Sequence, residues 1–300
     1  MRLIAGAYPA APADPAEFLD RLAESDLIGG LELPFIDDEG RWSLDRLPAR
    51  WVHVVTAVPA TAMRARTEPT FGLASTDEDG RREAMAVTLA VRDTVARVTQ
   101  SAGRALVLAV ELHSPPFGSG TADQFARSLE EAAGWDWSGA RLVVEHCDAP
   151  VAAHPPEKGY LPLADELTAV RAVGADIGVA INWGRSVIEA REPAGAVAHV
   201  TLAREAGLLA GVMFSGVASQ PLGEMPAWAD AHLAPAPGNP ASLLTAAHVA
   251  ECVRAAGEVD YLGVKVGARV GDSSAADRAN GVLEALRMVS AAPRNVGATD

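Results

Sequence analysis

Six polar side chains interrupt apolar runs in which nothing polar is otherwise needed. Glu32 lies in GLELPF, Glu111 in ALVLAVEL and Glu145 in RLVVEHC; Asn182 lies in IGVAINW, Ser215 ends AGVMFS and Lys265 lies in YLGVKVG. A buried carboxylate or ammonium is expensive unless it is paired or opens onto a solvated cleft, so three carboxylates beside one lysine need a reason. Clustered carboxylates raise the pKa of one member towards the range of a general base, while Lys265 opposes that shift and offers a fixed positive charge. The plain alternative is a structural ion-pair network. Further candidates adjoin the same runs. His113 follows the fourth, and His146, Cys147 and Asp148 complete EHCD. Arg185 and Ser186 follow the sixth in NWGRS, and Asp230 and His232 lie deep in the segment after the seventh. Arg185 suits a phosphate or carboxylate, Ser186 also suits a helix N-cap, and Cys147 reads as a small buried filler.

These side chains need elements to hold them. Eight apolar runs recur, at 3–8, 30–35, 51–58, 105–112, 141–147, 177–183, 210–215 and 261–267, each of strand length and rich in Val, Ile and Leu. Helical patterns fall between them at 15–25, 80–100, 121–133, 163–172, 194–206, 241–256 and 276–290; the segment 37–50 is a poor helix. Strand–helix alternation along a whole chain predicts a parallel α/β sheet, and eight units predict a closed (β/α)8 TIM barrel, one domain over 1–300. Side chains alternate along a strand. Placing the bulky apolar set towards the helices turns Glu32, Glu111, His113, Glu145, Cys147, Asn182, Ser215 and Lys265 inward, at or near the strand C-termini. The long connections 59–79, 113–121, 148–162 and 216–240 each follow a strand, which in a barrel is the catalytic face.

Composition excludes several classes. No GxGxxG fingerprint follows the first strand, and GSG at 118–120 reads as a flexible loop. A net charge of −14 argues against nucleic acid while leaving room for an anionic small substrate. No apolar run approaches a membrane span, and the amino terminus reads as a strand rather than a leader. Two cysteines make no disulfide framework. The expected setting is the cytoplasm; oligomeric state is left open.

GLELPF, LVVEHCDA, GVAINWGRS, GVMFSG and LGVKVG, in that order, resemble strands two, five, six, seven and eight of the xylose-isomerase-like superfamily of sugar isomerases, epimerases and endonuclease IV relatives. FGLASTDEDGRR, VVEHCDA, INWGRS and MFSG are similar to an uncharacterised bacterial family of these barrels. The resemblance implies a divalent metal held by Glu, Asp, His and Glu on strands five to eight. Residue by residue, only Glu145 matches. Asn182 stands at the Asp position, Ser215 or Phe214 near the His position, and Lys265 near the last Glu. Either the protein uses no metal, the reading Lys265 favours, or Glu145, His113, His146 and His232 form a different set suited to zinc or manganese. The implied activity is an isomerase, epimerase or lyase on a small sugar or sugar acid. Glu145 or Glu111 would abstract a proton next to a carbonyl, and Lys265 would stabilise the enediolate. Glu32, His113, His146, Asn182, Arg185, Ser215 and His232 would bind substrate. The alternatives are a Schiff-base aldolase on Lys265 and a barrel that binds a sugar without turning it over.

Overall fold

A computed structural model describes residues 1–36, 44 and 47–293. Eight strands form one closed parallel barrel in chain order: β1 (Arg2–Gly6), β2 (Gly30–Pro34), β3 (His53–Thr56), β4 (Val107–Leu112), β5 (Arg141–His146), β6 (Ile177–Asn182), β7 (Leu209–Phe214) and β8 (Tyr261–Lys265). Each falls within, or within a residue of, one of the eight apolar runs. Seven helices match the amphipathic stretches: α1 (Ala16–Ala23), α3 (Glu78–Ala102), α4 (Ala122–Ala133), α5 (Leu163–Val173), α7 (Ala194–Glu205), α8 (Ala246–Ala256) and α9 (Ala275–Ala291). Two more, α2 (Val58–Thr67) and α6 (Trp183–Ala190), lie where sequence patterning gave loop or strand. Their first residues, Val58 and Trp183, read as the ends of apolar runs, and Pro59 opens α2. α8 begins five residues later than its pattern, because Thr245 caps it by accepting from the His248 N–H at 3.3 Å. Most of the poor helix at 37–50 lies outside the described residues.

The chain divides into two compact units. The first comprises Met1–Glu32, Leu44–Trp51 and Ile181–Asp300. In it β1 pairs with β2 and β8, and β7 pairs with β8. α1 turns Phe18, Leu19 and Leu22 inward and packs against α9. Cys252 is fully buried on α8, and burial pushes its thiol up to about 12. Iodoacetamide at mildly alkaline pH should therefore leave Cys252 unlabelled until denaturant is added, read by peptide mass spectrometry. Labelling of the folded protein there would contradict this packing.

The second unit comprises Leu33–Ser43 and Val52–Ala180, with β3 paired to β4 and β4 to β5. The N-terminus of α3 is clamped to α4. Glu78 accepts from Arg81 Nη2 at 3.0 Å and from Arg127 Nη1 at 2.7 Å, and Arg81 also reaches Glu131 at 3.1 Å. The Arg81 and then the Arg127 guanidinium pull the Glu78 carboxyl down to about 2, from an ordinary 4.5. A carboxyl lowered on folding adds stability above its unfolded value, and that stability is lost as pH falls through the folded value. The melting-temperature gap between the wild type and E78Q should thus be full at neutral pH and shrink steadily as pH drops from 4.5 towards 2. A gap unchanged across that window would contradict the clamp.

Among the described residues, no helix is long and apolar enough to cross a membrane.

Candidate active site

On β4 and β5 the register sets Glu111 opposite Val143 and Leu112 opposite Val144. Continuing it by one residue brings His113 beside Glu145. The side chains meet there, His113 Nε2–H donating to Glu145 Oε2 at 2.9 Å, both fully buried. Glu111 lies two residues before His113 on the same face, and its carboxylate approaches that of Glu145 within 4.8 Å. Two carboxylates therefore lie close together away from water, one of them hydrogen-bonded to an imidazole.

The next residue of β5 points the other way. His146 Nδ1–H donates to Glu166 Oε2 at 2.7 Å on α5. Ser114 Oγ donates to the other oxygen, Glu166 Oε1, at 2.5 Å, and accepts from the Leu161 N–H. Glu166 is thereby fully buried yet satisfied. His146 thus sits on the helix side of β5, away from the face that carries Glu145. Cys147 packs with Val58 and Tyr160 as a small apolar filler.

The other unit holds a second constellation. Gly6 is in register with Lys265 on β8, and extending the β1–β2 register by one residue brings it opposite Glu32. Glu32 and Lys265 thus belong to strands separated by β1, about 10 Å apart in the pairing direction. They still meet, Lys265 Nζ lying 2.5 Å from Glu32 Oε1 with both side chains fully buried. The bridge passes over Gly6, where a Cβ would run into the Glu32 carboxylate and the backbone of Val264 and Lys265. The same register carried past Phe214–Val264 sets Ser215 beside Lys265. Ser215 Oγ donates to Asn182 Oδ1 at 2.8 Å, and the same oxygen caps α6 by accepting from the Arg185 N–H at 3.4 Å. The Arg185 guanidinium is buried, its Nε donating to Asp230 Oδ2 at 3.0 Å. Asp230 Oδ1 stands 3.2 Å from Nδ1 of His232, whose backbone is left-handed (φ 51°) and whose ring meets Tyr8 edge-on.

The residues anticipated from strand alternation thus form three contacts: His113–Glu145 with Glu111 close by, Glu32–Lys265, and Asn182–Ser215. Arg185 and His232 share Asp230. Sequence reasoning left out Gly6, Ser114 and Glu166, and gave Asp148 and Asp230 no role. Only Gly6 carried a usable signal, a glycine closing an apolar strand.

The family model described as a domain of unknown function, DUF4862, matches residues 4–280. The chain belongs to that family. An uncharacterised protein of Salmonella typhimurium is 37% identical over 284 residues, covering 88% of each chain. Solved structures share the fold of this DUF4862 chain at low identity. The IolI protein with a bound zinc atom has a TM-score of 0.66 at 12% identity, with 98% of this chain and 99% of that one covered. 3-Keto-D-glucoside 4-epimerase of E. coli has 0.56 at 14%, covering 96% and 99%. D-Psicose 3-epimerase, solved in the presence of D-fructose, has 0.57 at 12%, covering 96% and 97%. The fold is a xylose-isomerase-like barrel.

The metal set implied by that superfamily does not fit these residues. At the positions on β6, β7 and β8 stand an amide whose oxygen accepts from Ser215, a hydroxyl, and an ammonium paired with Glu32. An ammonium is a donor without a lone pair. Glu145 alone keeps its place in that set, and the Glu111 carboxylate comes within 4.8 Å of it, close enough for the two to share an ion.

Proposed function

We propose that the protein is a sugar isomerase or epimerase-like enzyme that abstracts a proton next to the carbonyl of a small sugar or sugar acid. The observation that carries this reading is the buried His113–Glu145 pair at the C-terminal ends of β4 and β5, with Glu111 beside it. That end of a parallel barrel is where barrel enzymes keep their chemistry. The sugar epimerases with the same fold support the substrate class.

In this mechanism Glu145 takes the proton from carbon and gives it back to the substrate, and the His113 Nε2–H holds the carboxylate in place. Within the other unit, the Lys265 ammonium is the group suited to stabilise negative charge that develops on an oxygen. Glu32 balances the Lys265 charge while no substrate is bound. This role for Lys265 makes no use of a metal. A tightly held stoichiometric divalent ion in the purified protein, measured by mass spectrometry, would remove it. The Lys265 amine is engaged by Glu32 and would have to leave that contact to form a Schiff base. Borohydride with aldehyde and ketone candidates should leave no adduct on Lys265.

The test uses heavy water. Incubated with a panel of ketoses, aldoses and sugar acids, the protein should wash deuterium into the carbon next to the carbonyl of at least one, read by NMR. A complete panel without exchange would defeat the reading.

A further inference from the structure

The chain has 23 arginines and only two lysines, Lys158 and Lys265. Unlike arginine's planar fork, a lysine offers a compact ammonium with rotatable donors. Lys265 already belongs to the site. Lys158 lies on the connection from β5 to α5, and its side chain is only 8% exposed.

The loop holds it with some care. Asp148, three residues past Glu145, is fully buried and accepts from the backbone N–H of Glu157 at 2.7 Å and of Lys158 at 2.9 Å. Lys158 is thus tied to the end of the strand that carries Glu145. The next residue, Gly159, has φ +69°, and its missing Cβ makes room for the Phe117 ring, from the connection that follows His113. The loops after the two strands of the His113–Glu145 pair meet at this point, with Phe117 59% exposed. Lys158 Nζ lies 2.9 Å from Glu157 Oε2, and Glu157 Oε1 lies 3.5 Å from the exposed Arg66. Glu157 therefore has a second cation to fall back on if an incoming anion takes Lys158.

We propose that Lys158 binds the anionic group of the substrate, a carboxylate or phosphate carried by a sugar, with Phe117 forming the wall beside it. This narrows the substrate class of the site proposed above and rests on that reading. The ligand carboxylate or phosphate replaces Glu157 on the ammonium; no bond is made or broken.

The probes are D-glucuronate, D-glucose 6-phosphate, inorganic phosphate and neutral D-glucose, titrated calorimetrically into the wild type and K158Q. Binding of one anionic sugar, about 10- to 100-fold weaker in K158Q than in the wild type, is the expected result. Glucuronate or the sugar phosphate as the tighter ligand identifies the carboxylate or the phosphoryl group as the source. Inorganic phosphate binding as tightly as both sugars would overturn the proposal, as would K158Q binding the anionic sugar like wild type, or no anionic sugar binding at all. Should K158Q fail to fold, acetic anhydride footprinting of the wild type gives the answer. The anionic sugar must protect Lys158 while D-glucose does not; equal acetylation with both overturns the proposal. Absence of deuterium exchange in the wild type would instead count against the catalytic reading, since these binding measurements do not depend on turnover.

Discussion

K265M should lower the unfolding free energy by about 3–5 kcal/mol, because it leaves the Glu32 carboxylate buried without its cation. The pair is fully enclosed, so neither partner can turn to bulk water when the other is lost. The double variant K265M/E32L removes both charges and should regain most of that stability, since apolar residues of similar volume replace buried ion pairs at little cost. G6A should act in the same direction, its methyl meeting the Glu32 carboxylate. Urea titrations of the four proteins decide the matter, and an unchanged midpoint for K265M would show that the buried pair contributes nothing. The double variant also separates two roles of the Glu32–Lys265 pair. Folded and inactive, it assigns the pair to chemistry; folded and active, it makes the pair purely structural.

E145Q should cut deuterium exchange at the reacting carbon by about 10²- to 10⁴-fold, the range that a positioned general base supplies. The amide keeps the shape of the carboxylate and can still accept from His113 Nε2–H, so the melting temperature should move little. Loss of exchange without loss of fold is the signature sought. If E111Q rather than E145Q abolishes exchange, Glu111 is the base and the roles of the two neighbouring carboxylates are reversed. If neither substitution slows exchange, the proton is taken elsewhere.

The strands were legible because buried parallel strands are continuous apolar runs, and a polar residue within one is conspicuous. Alternation then gave facing directions that agree with Glu32 meeting Lys265 and Asn182 meeting Ser215. It could not give partners from outside the strands. Glu166 lies in the first turn of α5, where an acidic residue is ordinary helix-terminus chemistry, and nothing in the sequence says that it receives His146 and Ser114. Asp230 is 45 residues from Arg185, in a Pro- and Gly-rich connection with no periodicity to fix a direction. α6 escaped because Trp183 continues the apolar run of β6, while its N-cap, Asn182, was already counted as a strand residue. The same atom, Asn182 Oδ1, serves cap and site alike, and periodicity reports only one role at a time.

The crossing of Glu32 and Lys265 over Gly6 makes three positions on three strands answerable to one another. A lineage that drops the ion pair releases position 6 to accept a side chain, whereas one that keeps it must keep the glycine. Across relatives of this barrel, alanine or larger at position 6 should therefore appear only alongside uncharged residues at positions 32 and 265. A sequence survey can detect that joint substitution without expressing any protein.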